Sequence, residues 1–199
     1  MTFVNANDPD NTVTIALRNY KNITTYQVTL RSKSHNFSEE IRYYYKSGYI
    51  RMEFIKPLPG VILTYNPVKK EVRIRPFRFI NHVVTVSPDN DMIQSSGGHK
   101  VDESDIGSLL EIVTKLQSNG KTHIMGDESL SGRQAVLVRV TGAGDFTIRG
   151  IHQYDLWLDK IIYLPLKIVS YDLQEGVIEE VLMDDLEIDL DLPDYLFHL

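Results

Sequence analysis

Apolar and polar positions alternate along most of this chain in short runs, each closed by turn-forming residues. Across residues 48–56, Ile50, Met52 and Phe54 fall on one face and Arg51 and Glu53 on the other, the period of two that marks a half-buried strand. Pro57-Leu58-Pro59-Gly60 stops this run, and Pro59-Gly60 suits the centre of a type II turn. Residues 61–65 read as the return strand. Asn66-Pro67-Val68-Lys69-Lys70 then turns the chain into residues 71–75, where Val72 and Ile74 share a face. Three strands joined by short turns make an antiparallel meander.

The same pattern predicts a strand pair at 26–31 and 39–45, a buried strand at 135–140 and a shorter one at 146–149. Residues 154–158 and 164–171 flank a turn at Asp159-Lys160, and residues 177–190 form a long final segment that is bent or split. About ten strands leave no room for parallel crossovers, so the sheet is expected to be antiparallel. Two helices interrupt it. Ile106, Leu109, Leu110, Ile112, Val113 and Leu116 recur at helical spacing, with Asp102 and Asp105 resembling a capping arrangement and Asn119-Gly120 a stop. Residues 11–20 carry Val13, Ala16, Leu17 and Tyr20 on one face, but their β-branched content means this helix needs a surface to lie on. The fold class is therefore mainly β, a single curled antiparallel sheet, open as an incomplete barrel, capped by two or three helices. Without a repeat, linker or low-complexity tract, residues 1–199 read as one domain.

Composition narrows the function. A chain of 199 residues can bury enough surface to fold without a staple, and its lack of cysteine removes disulfide scaffolds, thiolate metal sites and thiol catalysis. With 27 acidic against 21 basic side chains, nucleic acid is not an expected partner. No apolar run approaches a membrane span. The first residues show no secretory signal, which leaves a cytosolic protein or a mature exported one. Nucleophile elbows, zinc helices, phosphate loops and calcium loops are missing. The six histidines are scattered without metal spacing, so neither a metal nor a cofactor is expected. Asp184, Asp185, Glu187, Asp189 and Asp191 alternate with Leu186, Ile188 and Leu190, which reads as a solvated strand face.

The run Gly48-Tyr49-Ile50-Arg51-Met52-Glu53-Phe54 with Lys56-Pro57, Gly60 and Tyr65-Asn66-Pro67 resembles the signature hairpin of the LolA/LolB-type lipoprotein-localisation carriers. Leu156-Trp157-Leu158-Asp159, Leu164-Pro165-Leu166-Lys167, Tyr171-Asp172 and Gly176 resemble a block shared by those carriers and the RseB/MucB sensor domain. Leu192-Pro193-Asp194-Tyr195-Leu196-Phe197 is similar to the terminal step of the family. The resemblance implies an open barrel of about eleven strands, helices that cap it, an apolar cavity for acyl chains and a periplasmic location after loss of a signal peptide. It implies a role in outer-membrane lipoprotein sorting or sensing, with a lipid or acylated lipoprotein as ligand and a membrane-associated protein as possible partner. Two departures stand. The lipid-anchored LolB type begins with a cysteine that this chain lacks, and the basic residues Arg73, Arg75 and Arg78 match none of the carrier motifs.

Helices over such a sheet either fill it as an ordinary core or cover a ligand cavity, and the pattern is the same in both cases. The cover candidates are Leu109, Ile112, Val113 and Leu116, with Met52, Phe54, Ile62 and Tyr65 on the sheet side. Trp157 either packs the sheet or stacks on a ligand. Burying an acyl chain is worth on the order of 12 kcal/mol for sixteen carbons, so a carrier needs an opening step that offsets part of that gain. The resemblance gives Arg51 a part in closure through hydrogen bonds to groups on the helices, whereas its plain reading is a pair with Glu53 or a cross-strand acid. The expected function is a non-enzymatic, acyl-chain-binding envelope protein. The alternative is a filled β-sheet domain that binds a protein partner.

Overall fold

The structure, a computed structural model, describes residues 9–77, 82–90, 93 and 100–199. Among the described residues the elements run α1 (Pro9–Tyr20), β1 (Thr25–Ser34), β2 (Ser38–Lys46), β3 (Tyr49–Lys56), β4 (Ile62–Asn66), β5 (Glu71–Arg75), β6 (Val84–Val86), α2 (Ile106–Ser118), β7 (Gly120–Leu130), β8 (Arg133–Gly142), β9 (Gln153–Asp159), β10 (Pro165–Tyr171) and β11 (Val177–Ile188). Short 3-10 helices lie at Val101–Glu103 and Asp194–Phe197. The strands are hydrogen-bonded in the order β6-β5-β4-β3-β2-β1-β11-β10-β9-β8-β7, one open antiparallel sheet. The fold class read from the sequence is therefore the observed one, with eleven strands among the described residues. The chain divides into two compact units, one of residues up to Asn22 with Ile106–Leu182, the other of Ile23–Asp105 with Met183–Leu199.

The first unit holds α1, α2, β7 to β10 and the beginning of β11. Pro9 opens α1 at the position where a missing N–H and a fixed φ are least costly. Its buried face is Thr12, Val13, Ile15, Ala16 and Tyr20, and it packs on α2 and β7, the surface that a weak helix former needs. Leu110, Val113 and Leu116 of α2 have no exposed surface, and α2 lies against β7 and β8. Asp102 belongs to the 3-10 helix before α2 rather than to an α2 cap. The helix does stop at Asn119-Gly120, but Gly120 does not take the left-handed conformation of a glycine cap. A Cβ there would lie 2.1 Å from the Thr141 carbonyl oxygen, so close approach of β8 selects glycine. Its register partner Gly142 is equally crowded, with a Cβ 2.2 Å from the Phe146 oxygen.

Carboxylates hold two of the turns of this unit's sheet. Asp159, 1% exposed, accepts hydrogen bonds from the Ile161 and Ile162 N–H groups at 2.7 and 2.9 Å and from the Arg133 guanidinium at 2.7 Å. Asp172 accepts from the Gln174 and Gly176 N–H groups at 2.9 and 2.8 Å, and a Cβ on Gly176 would meet its Oδ2 at 2.8 Å. The Asp, Leu-Pro, Asp, Gly spacing of the sequence thus has a local physical cause. The strand expected at 146–149 does not form. Arg149 and Gly150 both take positive φ (54° and 79°), and Ile148 exchanges two backbone hydrogen bonds with Ile151 across them, a minimal hairpin too short for a strand.

In the second unit, β1 to β6 form a meander of consecutive antiparallel pairs. The Pro59-Gly60 turn closes by Val61 N–H donating to the Leu58 carbonyl at 3.2 Å with Gly60 at φ 88°, the type II geometry. Asn66 Oδ1 accepts from the N–H groups of Val68 and Lys69, both at 3.0 Å, so the Tyr-Asn-Pro step is an Asx turn.

Candidate functional site

Register sorts the second unit's side chains into two faces, because directly paired residues point the same way. Ile50 and Met52 of β3 pair with Tyr65 and Leu63 of β4, which pair with Val72 and Ile74 of β5. In the other direction they pair with Tyr45 and Tyr43 of β2, which pair with Tyr26 and Val28 of β1. This apolar face is closely buried, and Tyr26 stacks on Tyr43 and Tyr45 at 5.8 and 4.9 Å. The Tyr43 hydroxyl lies 3.3 Å from Ser104 Oγ, beside the 3-10 helix Val101–Glu103, and burial pushes its phenol well above the usual range.

The opposite face is polar. Arg51 pairs across with Thr64, Thr64 with Arg73, and Glu53 with Ile62, which in turn faces Arg75. The C-terminal 3-10 helix Asp194–Phe197 lies on it against β3 and β4. Arg51, with its side chain 12% exposed, donates from Nε to Glu53 Oε1 at 2.7 Å and from its terminal nitrogen to the Leu196 carbonyl at 2.8 Å. Lys46 donates to the Leu192 carbonyl and pairs with Asp194 at 2.7 Å, holding that carboxyl below its ordinary range. The Phe197 ring tilts onto Tyr49 at 6.2 Å. Beside this C-terminal strap is a cavity of about 260 Å³ between Phe197 and His198 on one side and Thr64, Asn66, Lys69, Glu71 and Arg73 on the other.

The candidate residues fall into separate groups. Met52, Phe54 and Tyr65 share the apolar face of the second unit. Ile62, expected beside them, points the other way with Glu53 and Arg75, because it is an odd number of residues from Tyr65. Arg51 is also on the polar face, paired with Glu53 as its plain reading expects; the carbonyl it holds belongs to the C-terminal strap of its own unit. In the first unit, Val113 and Leu116 are fully buried, Ile112 is 7% exposed and Leu109 is half-buried. Trp157 is paired with Leu137 and Lys167, on the face that carries Arg139 and Asp155 rather than the one that carries Leu156 and Leu158. Its indole N–H donates to Glu128 Oε2 at 2.7 Å, and Lys167 Nζ sits 4.9 Å from the ring centroid. Sequence reasoning missed the strap's anchors, Lys46 and Tyr49; their contacts are long-range and leave no periodic trace. Arg78 and His99 lie outside the described residues.

The family model for the MucB/RseB N-terminal domain matches residues 73–197. Comparison with curated protein sequences gives no match. Among solved structures, an uncharacterized conserved protein from Thermus thermophilus superposes with a TM-score of 0.58 at 16% identity, covering 94% of this chain and 90% of that one. MucB, also solved from Pseudomonas aeruginosa together with MucA, gives a TM-score of 0.59 at 14% identity over 96% of this chain and 61% of the other. This chain thus spans less than two thirds of that MucB chain. The Mycobacterium tuberculosis lipoprotein LppX superposes with a TM-score of 0.52 at 8% identity over 94% and 100% of the two chains. At these identities the structural likeness concerns the fold. No described helix is long and apolar enough to cross a membrane.

Proposed function

The chain belongs to the MucB/RseB N-terminal domain family, and from that premise we propose that it is a non-enzymatic, periplasmic envelope protein that takes up an acyl chain of a lipid or lipoprotein in an apolar cavity under a helical cover, as a sensor or carrier. The match over residues 73–197 carries this reading. The sheet residues offered to the acyl chain are Met52, Phe54 and Tyr65, which share one apolar face. In the other unit, Val113 and Leu116 of α2 have no exposed surface, whereas Leu109 and Ile112 keep some. A reaction is not part of the proposal: the buried carboxylates Asp155 and Asp159 are each occupied by an arginine and by turn or hydroxyl donors, as structural carboxylates are.

One observation favours a second reading, binding of a protein partner: MucB has been solved in complex with MucA. The two are separated by purifying the protein from envelope extracts, extracting it with organic solvent and identifying bound lipid by mass spectrometry, then titrating a fluorescent fatty acid. Stoichiometric co-purified lipid and displaceable probe are expected. No lipid and no saturable probe binding refute acyl-chain uptake and leave the partner reading.

A further inference from the structure

Strand β5 is the one motif of the sequence for which acyl-chain uptake has no use. Arg73 and Arg75 alternate along it on the polar face of the second unit, and neither has an ion pair among the described residues. The Nε of Arg75 is buried without a hydrogen-bond partner among the described residues. Arg73 lines the cavity of about 260 Å³ beneath Phe197 and His198. Next to it in the same cross-strand row is Thr64, only 2% exposed, whose hydroxyl has no hydrogen bond among the described residues. That hydroxyl is therefore free to donate to a group that enters the cavity. Lys69 brings a second cation to the rim. The lining thus carries two cations, Lys69 and Arg73, against the one acid Glu71, which lies 3.8 Å from Lys69. Arg51, whose guanidinium is engaged by Glu53 and the Leu196 carbonyl, holds the roof in place instead of entering the cavity.

We propose that this cavity is a binding site for a small oxyanion, a phosphate or carboxylate group, held by the planar donor fork of Arg73 with the Thr64 hydroxyl as second donor and Lys69 at the mouth. The guanidinium presents paired N–H donors that match two oxygens of such a group. The volume is below the roughly 300 Å³ at which drug-sized ligand pockets begin, so the site takes a head group or a free anion and not a hydrocarbon tail. The strap makes the site conditional, because Phe197 and His198 form one wall of it only while Arg51 and Lys46 hold the segment down. The site is separate from the apolar face, and its loss would leave acyl-chain uptake standing.

The test is an amide NMR titration with inorganic phosphate at fixed ionic strength, chloride serving as the reference anion. Saturable shifts are expected at Thr64, Asn66, Arg73 and His198. R73Q should weaken phosphate binding at least tenfold and R73K by less, while K33Q, at an exposed site on β1, leaves it unchanged. Vesicles of phosphatidylglycerol and of phosphatidylcholine form the second arm. Binding of the anionic vesicles that R73Q abolishes assigns the oxyanion to a lipid head group; phosphate binding without vesicle binding assigns it to a soluble anion. No saturable shift at these residues, or phosphate shifts identical in R73Q with the rest of the spectrum native, overturns the proposal.

Discussion

The substitution R51L puts a number on how firmly the C-terminal strap is held. Arg51 gives the strap a charge-assisted hydrogen bond of 2.8 Å to the Leu196 carbonyl from a side chain that is 12% exposed. A hydrogen bond of this kind contributes about 1.5–3 kcal/mol net. Lys46 holds the other end of the strap through the Leu192 carbonyl, and its pair with Asp194, 84% exposed, adds about 0–1 kcal/mol to that. Removing Arg51 should therefore favour local opening of the strap by roughly ten- to a hundredfold, at about 1.4 kcal/mol per factor of ten. Two amides report it: Leu196 N–H bonds to Pro193 and His198 N–H to Tyr195, at 3.0 and 3.2 Å. Hydrogen exchange at these amides, followed by NMR at constant pH, should accelerate by that factor in R51L and by less in R51K. Glu53 also loses its partner, so a double-mutant cycle with E53Q separates the strap's bond from the Arg51–Glu53 pair. Exchange that changes less than about threefold in R51L, with the sheet amides still protected, would mean that the Leu196 contact does not hold the strap.

Three further outcomes follow from the geometry. Asp159→Ala leaves two turn N–H groups and the Arg133 guanidinium without their acceptor, so it should cost about 3–4 kcal/mol in denaturant melts read by the fluorescence of Trp157, the only tryptophan; Asp159→Asn keeps one acceptor oxygen and should cost about half as much. Equal losses in the two variants would refute the turn-holding role. Gly120→Ala, whose new Cβ would overlap the Thr141 carbonyl oxygen, should destabilise by about 2–3 kcal/mol, and a variant within about 0.5 kcal/mol of wild type would refute the close approach. Glu39 is half-buried next to Ser32, and desolvation raises its carboxyl above the ordinary range. Its folded state therefore holds a proton more tightly than the unfolded chain, a contribution present at acid pH and lost as pH rises through the folded value. Glu39→Gln should match or exceed wild-type stability at neutral pH and lose that advantage on acidification; an advantage that grows in acid contradicts the sign.

The sheet was readable where one face meets water and the other does not. β3, β4 and β5 carry clean alternation, and the turns between them are written in Pro59-Gly60 and Asn66-Pro67, so their bounds were found to within a residue. α2 was equally plain, because the face it buries repeats at helical spacing. β7 escaped because it is the end of the strand order and exposed nearly throughout; with no buried face it has no period to read, and the bulge near Gly126 breaks what alternation remains. β6 is only three residues long. The site was less legible than the fold. Alternation places Arg51 opposite Met52 and beside Glu53, but the Leu196 carbonyl that it also holds is 145 residues away, a contact that no local pattern encodes. The apolar character of Ile62 and Trp157 points to a ligand-facing place, whereas strand parity decides which way they face.

Neither unit is a contiguous stretch of chain, and this governs how the protein can be assembled. Residues 23–105 form a meander whose first strand, β1, depends on the far segment for its remaining partners: the Asp189 N–H bonds to the Thr25 carbonyl and the Thr25 hydroxyl to the Leu190 carbonyl. During synthesis this strand edge stands open until residues 106–182 have emerged, a window in which an exposed β edge invites wrong pairing. Fragments cut at the apparent halves of the gene would therefore aggregate. A chain that runs from residue 183 to residue 199 and on through a short linker into residues 23–105 would give the second unit its closing strand within one continuous piece.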